Sequence, residues 1–245
     1  MRRLIILLVV LFGLFVSFRL SASVVGSGVV VGPGVTLDVA CNDCTGKVIC
    51  QNFEGTGTDN GETWTKGGTT ANVDFDATGV ILRGAQSCSI TNAGEAYSIH
   101  LGANLAEFWF HTMYQTAALS TGDHLDLIQI RDSADATFLT IRIRNVSPGP
   151  PVMQIKNGTI YSGNGTTTVA IDTVYHIWGY YKNDGHATVW LGTNTSRPAS
   201  AEVTMTNGDS TASAHSVKLY RRSETMLEYF DQVLLDDAEF TTVCP

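Results

Sequence analysis

The chain has 245 residues, only 16% of them charged, and a formal net charge of −8 at pH 7. An acidic chain lacks the positive surface that a phosphate backbone demands, so nucleic acid is not an expected partner. The length suits one large β-sandwich or two small domains. Thr, Ser, Asn and Gly stand in for the missing charges, and they favour turns and exposed strand faces over helices.

Met1-Arg2-Arg3 is a short basic start, and Leu4 to Phe18 is a continuous apolar run. Ser21-Ala22-Ser23 then places small residues at a cleavage site. This layout predicts a signal peptide over residues 1–23 and export from the cell. The apolar run is shorter than the roughly 20 residues of a bilayer span, so no membrane insertion is expected after cleavage. An uncleaved N-terminal anchor, with Arg19 just after the run, is the alternative. An exported chain can pair its five cysteines. Cys41, Cys44 and Cys50 cluster early, Cys88 lies inside the main domain, and Cys244 is next to last. Cys41-Asn42-Asp43-Cys44 has no second CxxC and no spaced His pair, so it reads as part of a disulfide-stapled segment rather than a zinc site.

Val24 to Val39 is a Gly/Val tract, and residues 24–49 read as a linker segment or an added edge strand. From residue 50 to 245 short alternating apolar runs recur between Gly, Asn, Asp and Ser clusters. Strands are expected over 79–83, 96–100, 105–115, 124–131, 136–144, 152–156, 159–161, 174–182, 186–191, 215–221 and 227–235. Asn157-Gly158 and Asn183-Asp184-Gly185 sit between apolar runs and predict hairpins. The fold class is therefore all-β, a two-sheet antiparallel sandwich of about a dozen strands. Alternation sorts the faces. Leu139, Ile141 and Ile143 point one way, and Thr140, Arg142 and Arg144 the other. Phe108 and Phe110 oppose Trp109, His111 and Met113. Tyr175, Ile177 and Tyr181 oppose His176, Trp178, Tyr180 and Lys182.

The stretch from Met153 to Asn194 resembles the centre of concanavalin A-like (laminin-G-like) jelly-roll domains. Its strand ending in Asn157-Gly158, its Tyr175-His176-Ile177 strand, its Asp184-Gly185 turn and its Val189-Trp190-Leu191-Gly192 strand carry the likeness. Asn52-Phe53-Glu54-Gly55 is similar to the opening strand of such domains, and Tyr229 to Leu235 to the closing one. The resemblance implies a jelly roll whose first and last strands are neighbours, which makes a Cys50–Cys244 pair attractive. It also implies a structural calcium shared by Glu54 and Asp231.

The same resemblance implies a carbohydrate partner. Sugars offer C–H faces to flat rings and hydroxyls to polar side chains, so Trp109 and Trp178 are expected to stack while Gln129, Arg142 and Arg144 hydrogen-bond. Two arginines on one face suit an acidic polysaccharide. Glycoside hydrolases of this fold carry two glutamates around an aspartate on one strand. His124 to Gln129 keeps Asp126 but puts His and Gln at those places, which removes retaining hydrolysis. Lyases of similar fold use His and Tyr, for which His111, His176 and Tyr180 are the candidate catalytic residues. No glycine-rich phosphate loop is present, and no cofactor beyond calcium is expected. The primary reading is a secreted glycan-binding or adhesion module. A lyase-type enzyme and a structural surface protein are the alternatives.

Overall fold

The computed structural model describes residues 47–243 apart from 54–57, 60–61, 85, 92–93, 99–103, 120–123, 146–148 and 221–226, together with three short strands nearer the N-terminus. Those strands, β1 (Ser23–Val25), β2 (Gly28–Val30) and β3 (Thr36–Asp38), pair antiparallel in sequence order within a unit of their own, residues 1–42 with 244–245. The Gly/Val tract thus makes a small sheet of its own. Residues 43–243 form the second unit.

That unit opens with β4 (Ile49–Gln51), β5 (Thr58–Asp59), β6 (Glu62–Gly68), β7 (Val73–Ala77), β8 (Ser87–Thr91) and β9 (Gly94–Ser98). A single 3-10 turn, Thr70–Asn72, interrupts it. The long strands follow: β10 (Glu107–Thr116), β11 (His124–Arg131), β12 (Thr137–Arg144), β13 (Val152–Asn157), β14 (Ile160–Tyr161) and β15 (Tyr175–Lys182). β16 (His186–Gly192), β17 (Val203–Met205), β18 (Ser216–Tyr220) and β19 (Leu227–Asp236) complete it.

Two eight-stranded antiparallel sheets result, and the fold is an all-β jelly-roll sandwich. Sheet I runs β17-β16-β15-β10-β19-β8-β7, with β4 also on β19. Sheet II runs β14-β13-β12-β11-β18-β9-β6-β5. β4 pairs with β19 through Ile49–Leu235 and Gln51–Val233, so the first strand of the sandwich lies beside the last. The expected run at 79–83 is a loop, because the backbone N–H groups of Leu82 and Arg83 bond the side chains of Ser87 and Asp231 instead of a neighbouring strand.

The alternation sorts the core as expected. Leu139, Ile141 and Ile143 of sheet II meet Phe108, Phe110, Ile177 and Tyr181 of sheet I in one apolar cluster. Gly179 sits between Ile177 and Tyr181 because the Phe110 ring fills the space its side chain would take. An added Cβ would lie 1.7 Å from Phe110 Cε1. On β11 the alternation slips once. Leu127 and Ile128 are both buried, and the register shifts between Asp126 and Ile128. This bulge puts Gln129 on the same outer face as His124 and Asp126, three residues apart.

Candidate functional site

The outer face of sheet II is built in rungs. One rung runs Gln154–Arg142–Asp126 across β13, β12 and β11. The next runs Tyr161–Lys156–Thr140–Gln129 across β14, β13, β12 and β11. The Asn157-Gly158 hairpin makes the second rung possible, since Gly158 takes φ +62° and returns the chain to set Tyr161 opposite Lys156. Asp209 holds this hairpin by accepting the Thr159 backbone N–H at 2.8 Å and the Thr159 hydroxyl.

His124, Asp126, Gln129, Arg142, Lys156 and Tyr161 are among the residues that line a polar cleft of about 250 Å³ on this face. Arg142 is its centre. The Nε and Nη2 groups of Arg142 both donate to Gln154 Oε1, the first at 2.9 Å. Gln154 Nε2 donates in turn to the Ser162 carbonyl at 3.2 Å and to Asn164 Oδ1 at 3.3 Å. The guanidinium lies 4.3 Å from the centre of the Tyr161 ring, a cation–π contact. Burial pulls the Arg142 pKa below its ordinary value, while Asp126 and Tyr161 act the other way. Arginine stays protonated through such shifts. Asp126 accepts from Gln129 Nε2 at 3.4 Å through Oδ2, and its Oδ1 is buried without a hydrogen-bond partner.

Gln129 and Arg142 therefore come together as expected, with Arg144 next on the same face beside His124. Trp109 and Trp178 do not join them. Both belong to sheet I, on its outer face. Trp178 is 1% exposed and packs against Phe240 in a second apolar cluster with Cys50, Leu234 and Val243. Trp109 is half-buried under the Arg197 guanidinium, 4.8 Å from its ring centre. The expected single face of two tryptophans, a glutamine and two arginines is thus divided. Gln129 and Arg142 line the cleft on one sheet with Arg144 on the same face, and the rings face outward from the other.

The candidate catalytic trio also separates. His111 and His176 are buried and share a hydrogen bond, Nε2 to Nδ1 at 2.9 Å. His111 Nδ1 lies 3.3 Å from the Gln232 carbonyl, an acceptor, so His111 carries its proton on Nδ1 and its Nε2 accepts from His176. Burial holds His111 well below the usual imidazole range and lowers His176 to about 4. Tyr180 stacks on Trp109 instead and donates its hydroxyl to Glu107 at 2.8 Å. Burial, with Glu107 adding to it, pushes its phenol up to about 12.

Glu54, half of the expected calcium pair, lies outside the described residues. Asp231 is buried, and its carboxylate accepts from Arg83 N and Ser87 Oγ at 3.1 Å each and from Gln232 N at 2.7 Å. Among the described residues no three carboxylate, His or Cys side chains converge on one point. The described part of that set is one hydrogen-bonded carboxylate.

Tyr161, Lys156 and Asp126 join the site beyond the residues expected there. The hairpin signal at Asn157-Gly158 already carried Tyr161 across from Lys156, and the bulge on β11 hid the common face of Asp126 and Gln129.

No family model matches the chain, and no curated protein matches it in sequence. Solved structures do resemble it. The cellulose-induced protein Cip1 is similar over 80% of this chain and 100% of its own, at 14% identity and a TM-score of 0.59. A Trypanosoma rangeli sialidase, solved with 2,3-difluorosialic acid, is similar over 80% of this chain and 31% of its own, at 14% identity and a TM-score of 0.53. The binding domain of botulinum neurotoxin DC, solved in complex with SialylT, matches 80% of this chain and 48% of its own, at 10% identity and a TM-score of 0.55. The chain spans less than half of the sialidase and toxin structures it matches. At these identities the likeness is one of fold, and it is a likeness to all-β sandwiches.

Proposed function

We propose that the chain is a secreted carbohydrate-binding module of the concanavalin A-like kind, and that its glycan lies in the cleft on the outer face of sheet II. One observation carries the reading. Two buried polar side chains, Arg142 and Gln154, are hydrogen-bonded to each other beneath an exposed ring, Tyr161, on a strand face, and Gln154 is tied in turn to the exposed Asn164. Buried polar groups are costly unless they are hydrogen-bonded. A preorganised set that opens on a cleft is what recognition of a hydroxyl-rich ligand needs, with the ring available to a sugar's C–H face. The cleft is smaller than the roughly 300–1,000 Å³ of drug-sized ligand sites, which suits a single sugar ring. Similarity of fold to Cip1, by name a cellulose-induced protein, and to a toxin binding domain solved with SialylT supports the same reading.

The test is a glycan array on the mature protein and on Tyr161→Ala, each with and without calcium. Binding to at least one glycan class, weakened at least tenfold in the variant, is expected. Loss of binding without calcium would support the ion proposed for Glu54 and Asp231. Binding that Tyr161→Ala leaves untouched would move the site elsewhere.

A second reading, a lyase acting on uronate sugars, has one observation of its own. The cleft brings a histidine and a tyrosine, His124 and Tyr161, to the same face as Arg142 and Gln129. β-Elimination needs a group to neutralise the uronate, a base for the proton at C5 and an acid for the leaving oxygen. Release of an unsaturated product, read by ultraviolet absorbance, would favour the enzyme over the binding module.

A further inference from the structure

We propose that the cleft selects an anionic sugar, one bearing a carboxylate or sulfate, through the Nη1 end of Arg142, with Asp126 accepting a hydroxyl of the same ligand. The inference rests on the reading of the cleft as a glycan site and names the class of glycan.

A guanidinium has a lateral edge, Nε with one Nη, and a terminal edge. Here the lateral edge is taken by Gln154 Oε1. Gln154 is a neutral amide, so this contact orients Arg142 without cancelling its charge. The amide cannot turn over, because its own Nε2 is held by the Ser162 carbonyl and Asn164 Oδ1. The Tyr161 ring fixes the guanidinium plane from one side. Among the described residues no carboxylate lies within ion-pair distance of Arg142. Asp126, its partner across the strands, has Oδ1 3.9 Å from His124 Nε2, beyond hydrogen-bond length and an ion pair only when that imidazole is protonated. Arg142 is 8% exposed, and a buried charge without a counter-charge is costly. A ligand anion on the terminal edge would relieve that cost and gain a bidentate, charge-assisted contact.

Lys156 lines the same cleft and Arg144 follows on the same face, so the local field is positive although the chain is acidic overall. Asp126 argues against a bare anion, which it would repel. Its buried Oδ1 calls for a donor, and a sugar acid supplies one in a hydroxyl near its anionic group. Gln154 is then a positioning residue, and Arg142 the one that reads charge.

Calorimetric titration with four probes tests this: a tetragalacturonate, its methyl ester, a sulfated tetragalactose free of carboxylate and a neutral tetragalactose. The acid or the sulfate is expected to bind, with affinity falling as salt rises. The two arms separate carboxylate from sulfate. Methyl esterification should weaken binding about 10- to 100-fold, the value of a hydrogen bond to a charged group. Arg142→Lys keeps the charge but loses the fork and should weaken binding about tenfold. Gln154→Met should weaken it several-fold with the melting temperature little changed. Equal binding of acid and ester, or acid binding unaffected by Arg142→Lys, overturns the inference. Neutral tetragalactose binding that Tyr161→Ala abolishes would also overturn it, leaving the glycan reading intact. No binding by any probe would overturn the inference, and a blank glycan array besides would remove the glycan reading with it.

Discussion

The two sheets each turn one face away from the main core, and they treat it in opposite ways. Sheet I presents Trp109, Trp178, Trp190 and Tyr180 outward, on neighbouring strands. Its C-terminal segment folds back as a roof. Arg197 N–H donates to the Thr241 carbonyl and Val243 N–H to the Thr195 carbonyl, both at 2.8 Å. Phe240 then packs on Trp178, and Arg197 covers both Trp109 and Trp190. Sheet II presents arginine, lysine, glutamine and aspartate outward, and its hairpin at 157–161 walls a cleft without closing it. Large rings near a surface gain most by being covered, since burial of apolar area is what drives packing. Polar side chains gain nothing by being covered and keep a site open. In this sandwich the aromatic face became a second small core, and the polar face became the site.

The sharpest way to break that comparison is to cut into the second core. Trp178→Ala should cost about 3–5 kcal/mol, the usual range for removing a large buried ring. Thermal or urea unfolding reads it. Oligosaccharide affinity of the remaining folded protein should not change, because the cleft lies on the other sheet. Normal stability with lost glycan binding would reverse the roles given to the two faces.

The sequence made much of the fold legible because alternation is a local signal. His124–Arg131 was marked out end to end, and β12, β15, β16 and β19 fall within two residues of their expected bounds. The neighbourhood of β4 and β19 followed from resemblance at the two ends of the domain. β5 to β8 and β17 escaped notice, being short or rich in Thr, Ser, Gly and Asp. The site was legible only in part. Alternation says that Trp178 opposes Ile177 and that Arg142 opposes Ile141. It does not say which outward face another segment will cover. Covering Trp178 depends on Phe240, more than sixty residues away, and no local pattern encodes that meeting. The bulge at Leu127 is a similar case. Leu127 and Ile128 both turn inward, and the bulge that allows it brings Gln129 to the face of Asp126, where the period-two rule would have set the two apart.

Acid offers a second, smaller way to sharpen the contrast, because the buried histidine pair lies on sheet I. His176 titrates near 6.5 when unfolded and at about 4 when folded. The folded state thus prefers the neutral ring, and the unfolded chain takes up the proton first as pH falls. The stability is complete above about pH 7, is lost through the window from 6.5 to 4, and levels off below. At 1.36 kcal/mol per unit, His176 alone accounts for about 3 kcal/mol across that window, and His111 shifts in the same direction. Urea midpoints at pH 7.5 and 4.5 would show it. Carboxylates also titrate on the way down, so the decisive comparison is with His176→Gln, whose acid loss should be smaller by about 2–3 kcal/mol. Equal losses in both proteins would mean that the pair is protonated without strain.

The smallest expected effect separates the two ways the roof on sheet I is held. Arg197 Nη2 meets Glu239 Oε1 at 2.5 Å, but the Glu239 side chain is half exposed, so water and salt screen the pair. Exposed ion pairs contribute about 0–1 kcal/mol. Glu239→Gln should therefore lower stability by less than about 1 kcal/mol, and the difference should shrink further in molar salt. Arg197→Ala should cost more, because its guanidinium lies 4.4 Å from the Trp190 ring centre and covers apolar surface that the truncation would expose. If Glu239→Gln instead proved as costly as Arg197→Ala, the ion pair rather than the rings would hold the segment down. The outer face of sheet I would then be an electrostatic latch, and its resemblance to a core would be only a matter of composition.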